Sequence, residues 1–467
     1  MVSFWEVCNR AINKGKISKP EEFDMKVFKV VSKYVEKYGI EYTPEEPIVD
    51  GDIADRVFQA GVEAYAELGT FCMDTGRVIR FTQEEIEEAL KECAVTPSTL
   101  NIGYGNEKRV LFKRTPYDSR LPLCIGGVIE SNPREGRDFV QLYKSIAQER
   151  IIDGFYFGPS PDSCEGYPWI LDSPYDVQSA RNAIGWVREA LRSVGRPGMH
   201  LIDANPSPIG VAANLSAGEA EGLRKTDAVA IAAISELKVD FCQLNKVALT
   251  MEHGAMRNPY WCPIVGGYAG GPAGCAVVGV ASALQAMLVY RVIGSGYVAP
   301  SALIQNPALN SDRPTLWVRN CELQALNKHT NLICCQTGGG TGAGPGTEQM
   351  LWEIAALGIV ISSGGGHINH GPRKEVLAAP TQGSGLEPRW QAEVCQATAG
   401  VQRDKLNHVL NSILLKYEDK LKDGSSPKGY SFDEIYDYDV VQPKQHYREI
   451  YERVKEELRE LGLDKLR

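Results

Sequence analysis

The 467-residue sequence has no apolar run suited to crossing a membrane. Its longest, Gly274 to Val292, is broken by Gln285 and Arg291 and reads as a buried helix. The opening MVSFWEVCNRAINKGK lacks the apolar core and small-residue cleavage site of a secretory signal, so a cytoplasmic location is expected. Positive charge is not in excess: 50 Lys and Arg against 59 Asp and Glu leave a net charge of −9. That balance argues against nucleic acid or an acidic membrane surface as partner, since either selects a basic stripe. Twelve cysteines are scattered without a CxxC pair, so they read as reduced, buried thiols rather than a disulfide framework. A Walker GK[ST], a Ser/His/Asp or Cys/His arrangement and low-complexity tracts are also missing.

What is present changes texture twice. Residues 1–115 are helical in pattern: Glu22 to Tyr38 and Ile53 to Leu68 carry apolar residues at helical spacing, and Thr82 with Glu85 forms a capping-box start. Gly105 to Arg114 looks extended. Residues 116–395 alternate short apolar runs with helical stretches. The strand candidates are LPLCIGGVIE, GFYFGP, MHLID, FCQLNKVAL, CPIVGGY, YVAPSALI, LICCQT and IVISSG. Helices are expected between many of them, at Tyr175 to Val194, Glu219 to Leu237, Cys275 to Ile293, Thr315 to His329 and Thr347 to Leu357. The alternation predicts an α/β fold, a (β/α)8 TIM barrel. The short connection Thr250 to Trp261 keeps a doubly wound sheet as the alternative. Residues 396–467 are helical again (Asp404 to Lys422, Gln445 to Leu461), with a polar DGSSPKG linker at 423–429.

In such a barrel the chemistry belongs at the strand C-termini. Those ends offer Glu130, Ser160 with Asp162, Asp203 with Asn205, Glu252 with His253, Tyr268, Gln305 with Asn306, and His367 with His370. TGGGTGAGPGTE, Thr337 to Glu348, supplies glycines ahead of a helix start, which suits either an anion cradle or a close-packed loop. His367 and His370 are spaced for a metal but lack a companion carboxylate or thiol at ligand spacing, so no metal is expected. Asp203 and Asn205 either orient a substrate or cap their turn. Tyr260 and Trp261 either pack in the core or present π faces at the mouth. Lys246 is the best placed Schiff-base candidate.

GRPGM (195–199), NLSA (214–217), SELKVD (235–240), PIVGGYAGG (263–271), AGPGTE (343–348) and ATAGV (397–401), taken in order, resemble the monomethylamine:corrinoid methyltransferases of methylotrophic methanogens. The resemblance extends to AGVEAYAELGTFCMDTGRVIRFTQEEI (60–86) and the closing helices. It implies a homo-oligomeric barrel whose mouth docks a separate corrinoid protein. The implied reaction moves a methyl group from a methylated amine to cob(I)alamin on that partner, with no cofactor bound covalently to this chain.

The same resemblance marks departures. The family's pyrrolysine position corresponds to Ile202, a glutamate to Tyr260, an acidic residue to the neighbourhood of Asn205, and a glutamine and a tyrosine to Gly338 and Gly340. With Asp203, Trp261, Thr341 and His367 these are the candidate site residues. Isoleucine can neither hold nor activate a small amine. A quaternary ammonium carries its own charge and needs only orientation and desolvation. Tyr260 beside Trp261 suits such a cation, and the 338–344 amides suit an anionic end. A small N-methylated donor larger than monomethylamine, such as a betaine, is therefore expected. Ile202 should lie at the bottom of an unfilled cavity, and Asp203, Tyr260, Gly338 and His367 should meet at one end. The competing readings are a lyase or aldolase using the glycine-rich anion site, and a non-catalytic binding or regulatory protein on the same scaffold.

Overall fold

The computed structural model describes residues 1–127, 136–158, 163–164, 166–168, 170–305, 308–374 and 383–466. Glu130, Ser160, Asp162 and Asn306 lie outside them. Parallel strands Ile125–Gly126, Gly154–Phe157, His200–Asp203, Ala228–Ala233 and Met256–Trp261 pair in sequence order. Segment 296–299 bridges the fifth strand through Arg257↔Gly296 and Tyr260↔Ala299, and the next strand through Val298↔Cys334. Cys335–Thr337 pairs with His367–His370, and Cys124↔Ile368 returns the sheet to its first strand. The sheet closes into an eight-membered parallel barrel.

A helix follows each barrel strand. In order these are Gly136–Ala147, Pro174–Ser193, Pro208–Ser216, Phe241–His253, Pro272–Leu288, Arg313–His329, Glu348–Ser363 and Leu386–Thr398. The barrel therefore stands where the alternation placed it, but several strands do not. Glu219 to Leu237 is not a helix: its Ala228–Ala233 part is the fourth strand, buried almost throughout. AVAIAA reads as helical because alanine dominates, yet a continuous apolar run is also what a strand buried on both faces requires. FCQLNKVAL is a helix, capped by Asp240, whose carboxylate accepts the Gln243 amide at 2.8 Å.

The fifth strand precedes CPIVGGY and contains Pro259, a residue that argues against a central strand. Its carbonyl still accepts the Ala299 amide at 2.8 Å. IVISSG is the end of the Glu348–Ser363 helix, and the eighth strand is the polar HINH that follows.

Along the strands, side chains alternate between two environments. Phe155, Leu201 and Val229 face the surrounding helices, while Tyr156, Ile202, Ala228 and Ala230 fill the interior. The extended segment is a hairpin, Thr99–Ile102 with Arg109–Phe112, that sends Ile102 and Leu111 into this interior from the N-terminal end. GRPGM holds that end together. The buried Arg196 guanidinium donates to the carbonyls of Ala147, Glu149 and Ile152 and to the Glu107 carboxylate at 2.6–3.0 Å. A Cβ on Gly198 would come within 2.2 Å of the Tyr104 carbonyl oxygen. Among the described residues no helix is long and apolar enough to cross a membrane.

Candidate functional site

At the C-terminal mouth the strand ends surround a cavity of about 260 Å³. Tyr156 of the second strand and Tyr260 of the fifth bring aromatic rings to it from the barrel interior, while the Trp261 side chain turns outward into the helix layer. Ser301, Thr337, Asn310, Asn369 and Arg373 supply polar groups, and Gly339 and Gly340 bring backbone to the edge. His370 completes this side, its ring centroid 5.0 Å from that of Tyr156. Burial, reinforced chiefly by Arg373, pushes the His370 imidazole down to about 3, so it is neutral at physiological pH. Among the described lining residues Arg373 is the one with a permanent charge, and none is a carboxylate.

Tyr260, Trp261 and Gly340 border this cavity, although the Trp261 ring packs into the core between barrel and helices. The other candidates do not. Ile202 is fully buried and packs with Tyr156, Ala230, Tyr297 and Cys335 inside the barrel, so its site is filled by neighbours rather than open. Asp203 points out of the barrel. It accepts the Asn205 amide at 2.8 Å and the Asn214 side-chain amide at 2.9 Å, and burial raises its carboxyl above the ordinary range. Asn205 accepts the Ser207 amide at 3.0 Å. The pair caps the turn after the third strand and does not line the cavity.

His367 sits at the opposite end of its strand from His370. Its Nδ1 accepts the Leu123 amide at 2.9 Å and its Nε2 donates to the Phe112 carbonyl at 2.6 Å, so both ring nitrogens serve the hairpin end. His370, three residues on, is the histidine that reaches the mouth.

The glycine run is a packing device, not an anion cradle. Glu353, buried in the helix that follows, accepts the amides of Gly342 at 2.7 Å and Ala343 at 3.0 Å. Asn310 Oδ1 takes the Gly340 amide, and Pro427 O takes that of Gly344 at 2.9 Å. A Cβ on Gly338 would lie 2.1 Å from the His370 carbonyl oxygen, so this glycine permits close approach of the eighth strand instead of enlarging a pocket. The Thr341 hydroxyl donates to the Ala343 carbonyl at 2.8 Å, away from the cavity. Lys246, the Schiff-base candidate, is buried under the turn with Nζ on the Asn205 carbonyl at 2.7 Å. The aldolase reading therefore loses both its lysine and its anion site.

Sequence reasoning missed Asn369, Arg373, Ser301 and Arg319. Arg319 is fully buried on the Arg313–His329 helix. It donates to Ser301 Oγ at 2.9 Å, to Thr337 Oγ1 at 3.3 Å and to the Thr337 carbonyl. An arginine in an otherwise helix-buried segment, one turn before Glu322, was the available signal.

A model of the family described as "Monomethylamine methyltransferase MtmB" matches residues 2–463. Monomethylamine methyltransferase MtmB2 of Methanosarcina acetivorans is 29% identical over 98% of both chains. MtmB of Methanosarcina mazei is 28% identical over the same shares. The crystal structure of Methanosarcina barkeri monomethylamine methyltransferase superposes with a TM-score of 0.89 at 27% identity, covering 98% of each chain. A structure titled as a hydroxylamine complex of MtmB matches equally well. The fold, the motif order and the whole-length match place this chain in the monomethylamine methyltransferase (MtmB) family.

Proposed function

We propose that the chain is a corrinoid-dependent methyltransferase whose donor is a quaternary N-methyl compound rather than monomethylamine. The observation that carries this reading is the pair of interior aromatic rings, Tyr156 and Tyr260, at a cavity with no carboxylate among its described lining residues. A small ammonium ion needs an anion or an activating group. A permanently charged trimethylammonium head needs only π faces and the loss of water. Ile202, at the position that corresponds to the family's pyrrolysine, supplies no reactive group.

A corrinoid carried by a partner protein accepts the methyl group, and no residue of this chain is assigned to hold it. The acceptor would supply the electron pair of the new bond to the methyl carbon, while the C–N electron pair stays on nitrogen, which leaves as a neutral tertiary amine. Tyr156 and Tyr260 bind the charged head and exclude water, and the strand ends aim one methyl group outward. Neutral His370 adds no competing cation.

The test supplies cob(I)alamin to the purified protein with a panel of N-methyl donors and follows methylated cobalamin spectroscopically. Methylation from quaternary donors and not from monomethylamine is expected. Turnover of monomethylamine, or of no methyl donor, overturns the reading.

A further inference from the structure

The cavity lining is also polar, and two of its features await a partner. Asn369 is 1% exposed, lines the cavity, and neither its side-chain nitrogen nor its oxygen has a hydrogen-bond partner among the described residues. A buried carboxamide left unmatched is destabilising, so a native one is expected to meet a ligand or water. The second feature is a proton count. Arg319 donates to both the Ser301 and Thr337 hydroxyl oxygens, which lie 2.9 Å apart. Only one of the two hydroxyl hydrogens can occupy the bond between them. The other remains as a donor whichever way the pair is oriented, and both residues line the cavity. Arg373 lines the same space and brings a permanent positive charge to it. A leftover O–H, a free carboxamide N–H and a guanidinium form a donor-rich face.

We propose that Ser301, Thr337, Asn369 and Arg373 form a carboxylate-binding subsite, so that the methyl donor is a zwitterion with a carboxylate beside its N-methyl group. This inference rests on the quaternary-donor reading above and moves the anionic end from the glycine amides, which Glu353 and Asn310 occupy, to these four side chains. The cavity then holds each end of the donor against the matching chemistry. Charge at one end meets π faces, and charge at the other meets N–H and O–H donors.

The experiment is calorimetric titration of the full-length protein, without corrinoid, using N,N,N-trimethylglycine and choline, which differ in the carboxylate. Trimethylglycine is expected to bind at least tenfold more tightly. Arg373→Gln and Asn369→Leu should each reduce that preference severalfold by weakening trimethylglycine alone. Asn369→Asp, which keeps the shape and adds a negative charge, should reverse the preference toward choline. Equal binding of the two ligands to the wild-type protein overturns the subsite, as does an undiminished preference in Asn369→Asp. Carboxylate-selective binding without methyl transfer leaves the subsite standing and removes the proposed reaction. Methyl transfer from choline and trimethylglycine alike does the reverse.

Discussion

The carboxylate of Asp203 accepts a 2.9 Å hydrogen bond from the side-chain amide of Asn214, and both groups are buried outside the barrel. The bond ties the end of the third strand to the helix that follows it, and it explains the asparagine of the NLSA motif in terms of scaffold. Asn214→Leu leaves Asp203 Oδ2 without this donor and is expected to lower stability by about 1–3 kcal/mol, read from urea unfolding. Donor affinity should stay within twofold, since neither residue lines the cavity. A tenfold loss of affinity in a stably folded variant would return Asp203 to the site.

Ile202 supports the interior, and truncation should expose that role. Ile202→Ala is expected to cost about 2–5 kcal/mol and Ile202→Val about 0.5–1.5 kcal/mol, as buried large-to-small changes do. An isoleucine at the floor of an open pocket would give much smaller losses. Pyrrolysine placed here must displace Tyr156 or Tyr297, its packed neighbours. The substitution is therefore expected to destabilise the fold without producing monomethylamine turnover, which expression with an amber codon and a cobalamin assay can check.

Tyr260 separates aromatic recognition from polar recognition. Tyr260→Ala should weaken binding of a quaternary donor by about 1–2 kcal/mol, and Tyr260→Phe, which keeps the π face, by little. Titration with tetramethylammonium, which has no anionic end, isolates this contact. Equal affinities for all three proteins would remove the cation from this ring.

His367 gives the pH dependence a definite sign. Burial, with Arg114 adding to it, pushes its imidazole from 6.5 down to about 3. Between those values the unfolded chain binds a proton that the folded chain refuses. Stability is therefore lost as pH falls below 6.5, at up to about 1.4 kcal/mol per pH unit from this group. His367→Gln should unfold more easily at pH 7.5 but show a shallower decline between pH 6 and 5 than wild type, as read from denaturant midpoints. An unchanged slope would mean that the imidazole protonates in place.

The barrel was legible because its helices alternate with apolar runs, and the family because its motifs keep their order. Individual strands were legible only where β-branched or aromatic residues supplied a period. GFYF and HLID did so, whereas AVAIAA is as good a helix as a strand until its burial on both faces is known. Pro259 concealed the fifth strand, and two histidines and an asparagine concealed the eighth. Part of the cavity was visible in Tyr260, a large aromatic at a strand end, whereas its neighbour Trp261 turns into the outer core as strand alternation requires. The rest of the cavity was not, because its chemistry lies in what bonds are left unmade. Asn369 is an ordinary asparagine in the sequence and becomes notable only when none of the described residues meets its side chain. The glycine run misled for the converse reason: its amides are abundant in the sequence, and the fold gives them to Glu353.

The hairpin that inserts Ile102 and Leu111 into the N-terminal end makes the barrel a blind tube. In the proposed reaction, whatever enters the cavity arrives and departs through the same mouth at which the methyl-accepting partner would dock. A donor has to be in place before that partner arrives, and the demethylated amine stays enclosed until the partner withdraws. For the proposed reaction this imposes a compulsory order: donor first on, amine last off. Excess partner then acts as an inhibitor by trapping product, and steady-state kinetics should show substrate inhibition by the acceptor but none by the donor.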